Sequence, residues 1–272
     1  MKTRLLIDGD LLVWRTAAAA TVRAFDGALT FNPHFIEDYL MKLIDYVKER
    51  LYVKEIVVAI SDKPTFRHEV FPEYKQHRQK RETPPGLEYT YEVLTQKLKL
   101  DVLRLPSLEA DDVIGLLSRE PEYKNIICSV DKDLDQLVGF HYNWVKDLYY
   151  AIDNYVAHRK LYVQVLAGDP TDNFKGLPQV GRKRAANIVD AIEKEYKVDM
   201  EDIDAWLKLL AEQYIARGMS MIDFYTNWVC AYILRQPDEY DFATFTVTSK
   251  YYRRLQELHI IGKEAGDDAE QI

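Results

Sequence analysis

The chain has 272 residues, which is long enough for one large domain or two small ones. Its apolar runs are shorter than the ~18 to 20 residues that span a bilayer, and its N-terminus lacks the apolar core and cleavage site of a signal peptide. Two cysteines, Cys128 and Cys230, make no disulfide framework. We therefore expect a reduced, cytoplasmic, monomeric protein that does not bind membranes.

The net charge of −8 is unusual for a nucleic-acid binder, but its distribution is uneven. Removing Asp10 and the nine acids of the motifs below leaves +2, and the segment Lys63–Arg81 carries six Lys or Arg against two Glu. One interpretation is an acidic metal site beside a basic stripe that binds phosphates. The other is an acidic protein with one solvated basic helix, and composition alone does not choose between them.

Strands and helices alternate in the first part of the chain. Apolar residues stepping by three and four from Ile36 to Leu51 predict an amphipathic helix, and another helix includes Val113–Leu117. A strand or hairpin is predicted around Tyr142–Tyr150. Four further short aliphatic runs predict strands at Arg4–Ile7, Glu55–Ile60, Asp101–Leu105 and Asn125–Val130. This alternation indicates an α/β fold with a mostly parallel central sheet flanked by helices.

After Leu161 the pattern changes to helices joined by Gly and Pro. Trp206, Leu210 and Tyr214 share one apolar face, and Phe224 and Trp228 lie on another. We therefore predict an α/β core over residues 1–165 and a helical region over residues 166–272.

Carboxylates follow the predicted strands where each strand ends. They are Asp8 after the first strand, Asp62 after the second, Glu109, Asp111 and Asp112 after the third, and Asp131 and Asp133 after the fourth. Asp169 and Asp172 form a further acidic segment. Because the carboxyl ends of parallel strands meet at one edge of a sheet, these side chains are predicted to converge.

Each acidic segment alone has a simpler explanation. Glu109–Asp112 is typical of helix capping, Asp169–Asp172 of a turn, and Asp131–Asp133 of a solvated loop. Together, carboxylates converging without compensating Lys or Arg would repel one another and require cations. Hard oxygen ligands select Mg²⁺ or Mn²⁺. Two such ions, ~3.5–4 Å apart, activate a water and stabilise the leaving oxygen in phosphodiester hydrolysis.

Aromatic and basic residues are mixed between Phe66 and Arg78. The three-residue spacing of Lys75 and Arg78 predicts one helix face that holds the scissile phosphate. Arg67 is predicted to contact DNA and Tyr74 to stack on a terminal base. The alternative is an exposed helix whose Phe and Tyr side chains fill the core.

A Gly-rich turn, Gly176–Gly181, precedes three basic residues and an apolar helix. This order is typical of a helix-hairpin-helix, in which backbone N–H groups grip a duplex without reading its sequence. The residues predicted to contact DNA here are Gly176, Gly181, Arg182 and Lys183.

The ordered motifs resemble the 5′-nuclease family, which includes the 5′-to-3′ exonuclease domain of bacterial DNA polymerase I, flap endonucleases and stand-alone phage exonucleases. The resemblance covers residues 5 to 190 and is strongest to the phage exonucleases. The matching segments are Ile7–Gly9, Phe66–Arg78, Glu109–Gly115, Asp131–Asp133, Gly168–Asn173 and Gly176–Gly181.

The resemblance implies a PIN-like core with a helical arch near residues 63–100 that carries Lys75 and Arg78. It implies one metal cluster from Asp8, Asp62, Glu109, Asp111 and Asp112, and a second from Asp131, Asp133, Asp169 and Asp172. Asp8, Asp111, Lys75 and Arg78 would be catalytic, and backbone carbonyls of Gly176 and Val180 would hold a potassium ion.

The implied activity is Mg²⁺-dependent 5′-to-3′ cleavage of duplex DNA with a 5′ end, nick, gap or flap, leaving 5′-phosphates. RNA–DNA hybrids and replication proteins are further implied partners, in a host cytoplasm if the chain is phage-encoded.

Three positions depart from the family pattern: Asp10, Val130 and Gln179. Asp10 is expected to support the metal ligands rather than bind directly, and Gln179 alters the hairpin that would hold potassium. Two alternatives remain open. Asp8 and Asp10 would serve as nucleophile and acid in a haloacid-dehalogenase-type phosphatase, and a non-catalytic DNA-binding module would use the basic segments alone.

Overall fold

A computed structural model describes residues 2–77 and 82–269, with side chains described as far as residue 259. The chain folds as two compact units. The first comprises Met1–Lys63, Lys80–Ile152 and Leu234–Pro237, and the second comprises Pro64–Gln79, Asp153–Ile233 and Asp238–Ile272. The predicted division at residue 165 falls inside the helix α6 (Asn154–Ala167), so both sides of it belong to the second unit.

The first unit is built on a six-stranded sheet in the order β5-β4-β1-β6-β7-β8. All neighbouring pairs are parallel except β7 and β8, which pair antiparallel. The strands are β1 (Lys2–Asp8), β4 (Glu55–Ile60), β5 (Asp101–Arg104), β6 (Tyr123–Cys128), β7 (Gly139–Asn143) and β8 (Leu148–Ile152). The four predicted strands and the predicted hairpin are thus confirmed.

A small antiparallel hairpin of β2 (Thr21–Arg23) and β3 (Leu29–Phe31) was not predicted. Its strands have three residues each and are mostly exposed, so they lack the buried aliphatic run that marks the other strands.

Helices cover the sheet of the first unit. The helices α1 (Gly9–Ala20) and α2 (Pro33–Leu51) bury Leu12, Val13 and Leu40 in one cluster with Leu5 and Ile7 of β1. The helix α5 (Ala110–Leu117) packs against β1, β4 and β5. Because alternate residues of a strand face opposite sides, the five consecutive buried residues at the end of β1 fit a sheet covered on both faces.

The C-terminal half of the predicted arch belongs to the first unit and packs against its helices. The helix α4 (Leu87–Glu92) and the π-helical turn Val93–Lys97 contact α1 and α2, and Val93 and Leu94 are buried. Residues 78–81, in the middle of the predicted arch, lie outside the described residues. The arch itself stays a prediction.

The second unit is helical with a large aromatic core. Tyr162 stacks on Trp206 at 4.5 Å between ring centroids, and Trp228 packs against Phe224 and Tyr251. The predicted apolar faces around Trp206 and Phe224 are confirmed. Its elements are α3 (Phe66–Val70), α6, α7 (Arg182–Tyr196), α8 (Ile203–Ile215), α9 (Met221–Ala231), β9 (Tyr240–Asp241), β10 (Thr246–Val247) and α10 (Lys250–Ala269). No helix within the described residues is long and apolar enough to span a membrane.

Candidate active site

Asp8 lies where the order of the sheet reverses. The chain runs outward from β1 through β4 to β5, and then returns to β6 on the other side of β1. Such switch points are where open α/β sheets bind ligands. Asp8 ends β1 and caps α1, because its Oδ1 accepts the Leu11 N–H at 3.1 Å. Its Oδ2 accepts the Ser129 hydroxyl at 2.7 Å, which joins the ends of β1 and β6.

Ser129 continues this network toward the next acidic segment. Its Oγ accepts the Asp131 N–H at 2.9 Å, and Asp131 Oδ1 accepts the Asp133 N–H at 2.8 Å. Sequence reasoning did not select Ser129. The available signal was a hydroxyl directly after a buried strand, next to the predicted ligands.

The end of β4 is joined to the start of α5 in the same manner. Asp62 Oδ2 accepts the Ser107 N–H at 2.9 Å, and Ser61 Oγ accepts the Ala110 N–H at 2.9 Å. Glu109 is buried at the N-cap of α5, and Asp111 lies half-buried in its first turn. These hydrogen bonds therefore hold the backbone around Asp62, Glu109 and Asp111 in place within the first unit.

Asp10 has the supporting position expected for it. Its Oδ1 accepts the Ser61 N–H at 3.2 Å, which ties the start of α1 to the end of β4. Tyr91, which sequence reasoning missed, lies within electrostatic range of Asp10 and Asp8. Burial, followed by the charge of Asp10, raises the pKa of Tyr91 to about 12.

Burial raises the pKa of the Asp8 carboxyl to about 7, against the opposing hydrogen bonds from Ser129 and Leu11. The negative charges of Asp10 and Asp131 raise it further. A buried carboxylate beside two others is stabilised by a cation, and carboxylate oxygens are the donors that Mg²⁺ and Mn²⁺ prefer. The residues present thus fit a divalent ion.

Among the described residues, no three His, Cys, Asp or Glu side chains are arranged to hold a metal ion as they stand, and the two predicted clusters stay a prediction. Asp8, Asp62 and Asp131 accept backbone N–H groups, and Asp8 also accepts the Ser129 hydroxyl. Mg²⁺ keeps several waters in proteins, so it does not require three direct carboxylate ligands.

Asp112 has a capping role in the structure, and its metal role stays a prediction. Asp112 is 0% exposed, its Oδ2 accepts the Glu109 N–H at 3.2 Å, and its Oδ1 accepts the Leu234 N–H at 3.0 Å. Both oxygens are thus used to cap α5 and to bind a distant backbone segment. The capping explanation that the sequence left open is the correct one for this residue.

Asp169 and Asp172 belong to the second unit, where each has a cation beside it. Arg182 Nη2 lies 3.2 Å from Asp169 Oδ2, and Lys75 Nζ lies 3.6 Å from Asp172 Oδ2. The expectation of carboxylates without compensating Lys or Arg is therefore wrong for these two residues. Asp131 and Asp133 belong to the first unit, so the second metal cluster implied by the resemblance stays a prediction.

Arg67 and Tyr74, for which DNA contacts are predicted, are both buried, each 2% exposed, and those contacts stay a prediction. Arg67 donates to the carbonyls of Val229 and Tyr232 at 3.1 and 2.7 Å. The Tyr74 hydroxyl donates to Asp172 Oδ2 at 3.2 Å, and its ring meets His68 edge-on at 5.5 Å. The alternative in which aromatic side chains of this segment fill the core is correct.

Lys75 does not lie in a right-handed helix. Its φ is +54°, which a right-handed helix does not contain, and it lies in a turn whose N–H donates to the Asp172 carbonyl at 3.0 Å. Arg78, predicted to be catalytic and to bind DNA, lies outside the described residues.

The glycine turn of the second unit lies between α6 and α7, and the helix-hairpin-helix predicted there stays a prediction. Gly176 has a φ of +61°, and a Cβ added there would lie 2.3 Å from the Gly168 backbone nitrogen. The Gly176 N–H donates to Asn227 Oδ1 at 2.8 Å, and its predicted contact with DNA stays a prediction. Gly181 caps α7 without a side-chain hydrogen bond, and Arg182 and Lys183 are exposed in its first turn.

The sequence comparisons identify the family of the chain. Residues 3–165 match the family model described as the 5′-3′ exonuclease, N-terminal resolvase-like domain. The chain belongs to the 5′-3′ exonuclease family, and the resemblance drawn from its motifs is confirmed. It is 30% identical over 204 residues to a 5′-3′ exonuclease of Aquifex aeolicus, covering 70% of this chain and 69% of the relative.

Longer relatives also match much of the chain. The DNA polymerase I of Bacillus subtilis is 28% identical over 222 residues, which cover 75% of this chain. The chain spans about a quarter of that relative's length, since 25% of the polymerase is matched.

Solved structures share the fold. The bacteriophage T5 D15 protein, co-crystallised with metal ions, aligns with a TM-score of 0.57 at 19% identity over 94% of this chain and 99% of that one. The catalytic core of Rad2 in complex with DNA substrate aligns with a TM-score of 0.51 at 13% identity over 87% and 80%. The mostly parallel sheet flanked by helices is therefore the architecture of these nucleases.

Proposed function

We propose that the protein is a Mg²⁺-dependent 5′-to-3′ exodeoxyribonuclease that hydrolyses phosphodiester bonds and leaves 5′-phosphates. The observation that carries the proposal is the buried Asp8 at the switch point of the sheet, joined through Ser129 to the Asp131 segment. This arrangement lies within the residues that match the exonuclease family. The comparisons give no support to a haloacid-dehalogenase-type phosphatase.

The first unit supplies the proposed metal ligands, which are Asp8, Asp62, Glu109, Asp111, Asp131 and Asp133. Two bound divalent ions would activate a water and stabilise the leaving oxygen. The protein's own part is to fix these carboxylates. Backbone N–H groups of Leu11 and Ser107 hold Asp8 and Asp62, and the Ser129 hydroxyl holds Asp8 from the other side.

The second unit supplies the proposed phosphate contacts. Lys75 and Asp172 lie 3.6 Å apart, and we propose that a DNA phosphate takes the place of Asp172 at the ammonium group. Lys183 and the N-terminus of α7 would bind the duplex backbone by charge and by N–H groups. Asp169 and Asp172 would take part as metal ligands after releasing Arg182 and Lys75, and carbonyls of Gly176 and Val180 would hold potassium.

The preferred substrate follows from the family. A solved structure of similar fold is described as a flap endonuclease bound to DNA and metal ions. We propose that the substrates of this chain are likewise DNA, namely duplexes with a 5′ end, nick, gap or flap. RNA–DNA hybrid is included because hydrolysis at the phosphate does not require a particular sugar.

The test is digestion of labelled duplex, nicked, gapped, flap and hybrid substrates with Mg²⁺ or with a chelator. We expect Mg²⁺-dependent release from 5′ ends and products carrying 5′-phosphates. Equal cleavage with the chelator, or release only from 3′ ends, would contradict the proposal. A phosphoenzyme at Asp8 would instead support the phosphatase.

A further inference from the structure

We propose that Leu234 and Arg235 act as positioning residues that hold the acidic segments of the first unit in place for divalent ions. We call these two residues the C-terminal clamp. The inference rests on the proposed function, because it assumes that Asp133, Glu109 and Asp111 serve a metal site. Leu234 and Arg235 lie outside the matching motifs and outside the family match, which ends at residue 165.

Arg235 fixes the turn that follows Asp133. The guanidinium is 2% exposed; its Nη1 donates to the Gln136 carbonyl at 2.6 Å, and its Nη2 donates to Gln136 Oε1 at 3.0 Å. Gln136 ends the 3₁₀ turn Asp133–Gln136, so both bonds act on the segment that begins with Asp133. The planar fork of an arginine binds two acceptors in a fixed geometry, which a lysine does not reproduce.

Leu234 fixes the helix that carries the other acids. Its N–H donates to Asp112 Oδ1 at 3.0 Å, and Asp112 Oδ2 accepts the Glu109 N–H at 3.2 Å. Asp112 thus connects the clamp to the first turn of α5, where Glu109 and Asp111 lie. Two adjacent residues therefore reach both acidic segments, at sequence separations of 99 and 122 residues.

The chemistry of Arg235 favours positioning over simple packing. Burying a guanidinium removes it from water, and a well-packed apolar residue of similar volume avoids that loss. The short segment Leu234–Pro237 also belongs to the first unit, whereas the residues on either side of it belong to the second. A charged residue directed at a carbonyl and an amide is suited to fixing a loop in one geometry.

The test is to measure Mn²⁺ binding to the full chain by titration calorimetry, without DNA. The wild type and Arg235→Met are compared. Removing a group that orients metal ligands typically weakens affinity about 10- to 100-fold, so we expect the Mn²⁺ Kd to rise at least ~10-fold. In cleavage assays the Mg²⁺ concentration for half-maximal rate should rise similarly, while the KM for DNA stays within about twofold of wild type. Arg235→Lys should recover only part of the affinity.

Arg4→Met is the matched control. Arg4 is a buried arginine of the same unit that donates to Asn125 Oδ1, Glu120 Oε2 and the Leu117 carbonyl. We expect this variant to lower the Tm but to keep the Mn²⁺ Kd within about twofold of wild type, because no acidic motif segment accepts these bonds.

Folded Arg235→Met with wild-type Mn²⁺ affinity would overturn the clamp while leaving the proposed function intact. If Arg235→Met does not fold, Gln136→Leu decides, because it removes the side-chain amide whose Oε1 accepts from Arg235 and keeps the arginine itself. An unchanged Mn²⁺ Kd in that variant would likewise overturn the clamp. A wild type that neither binds Mn²⁺ nor cleaves DNA would remove both the clamp and the proposed function.

Discussion

Individual carboxylates of the first unit differ in what surrounds them, and this separates ligands from supports. Asp112 has both oxygens bonded to backbone N–H groups inside the fold, whereas Asp111 lies half-buried one residue earlier. On a helix these neighbours face different directions. Asp111 is therefore the member of this pair that is suited to metal chemistry.

We predict that Asp111→Asn lowers the single-turnover cleavage rate by roughly 100-fold or more while duplex binding persists, because a neutral amide is a poor ligand for Mg²⁺. Rates are measured with end-labelled duplex, and affinity by fluorescence anisotropy. Asp101→Asn is the control, since Asp101 is an exposed carboxylate at the start of β5. Wild-type rates in Asp111→Asn would remove this residue from the site.

A second prediction concerns His141, which is buried on β7. Burial lowers its pKa below the ordinary value of 6.5, against the opposing effects of the Leu137 carbonyl and the Asp135 charge. The folded state therefore favours the neutral ring, and the unfolded state takes up the proton first as the pH falls. The contribution of His141 to the free energy of unfolding is fully present above about pH 6.5 and decreases below it.

Urea unfolding of the wild type and of His141→Gln between pH 5 and 8 measures this contribution. The difference in free energy of unfolding between the two should be constant above about pH 7 and should shift against the wild type below pH 6.5. A difference that is independent of pH would show that the imidazole does not titrate as its burial requires.

At the scale of elements, strand positions follow from the sequence because buried β-strands need continuous aliphatic runs. Ile56–Ile60 and Ile126–Cys128 are such runs, and their ends place Asp62 and Asp131 without further information. The neighbours of Arg67 and Tyr74 could not be found in this way. Their partners lie 162 and 98 residues away in the sequence, and a basic or aromatic residue has the same local pattern whether buried or exposed.

The turn at Lys75 shows a second limit. The spacing of Lys75 and Arg78 is compatible with a helix, and only the left-handed φ of Lys75 excludes one. The cations beside Asp169 and Asp172 were missed for the reason that applies to Arg67: spacing does not show which distant side chains meet.

The turn between α6 and α7 gives an element-scale prediction. Gly176→Ala should lower the free energy of unfolding by at least about 2 kcal/mol, because the new methyl group would collide with the Gly168 backbone at a left-handed φ. Gly181→Ala is the matched control, since nothing lies within 4 Å of a Cβ at that position. Chemical denaturation of both variants is the measurement, and equal losses would show that the close approach of the two glycines is unimportant.

At the scale of the whole molecule, the net charge of −8 makes stability depend on counterions. The carboxylates at the sheet switch point are held near one another by folding, so an ion that binds only the folded state stabilises it. Binding at 100 times the Kd adds about 2.7 kcal/mol. For a chain of this size that corresponds to a Tm increase of roughly 5–10 °C.

We therefore predict that Mg²⁺ raises the Tm above its value in chelator at matched ionic strength, and that Asp8→Asn reduces the increase. Differential scanning calorimetry measures both. An increase of the same size in Asp8→Asn would place the ion elsewhere, and the absence of any increase in the wild type would contradict binding to the folded state.

The short segment Leu234–Pro237 has a consequence for dissecting the molecule into fragments. The family match ends at residue 165, and that boundary invites expression of the α/β part alone. Such a fragment would lack the Leu234 N–H that binds Asp112 and the guanidinium that binds Gln136. It would remove one donor from the buried Asp112 carboxylate and another from the Gln136 carbonyl, so the unit that carries the acidic residues is completed by a segment about 100 residues further along the chain.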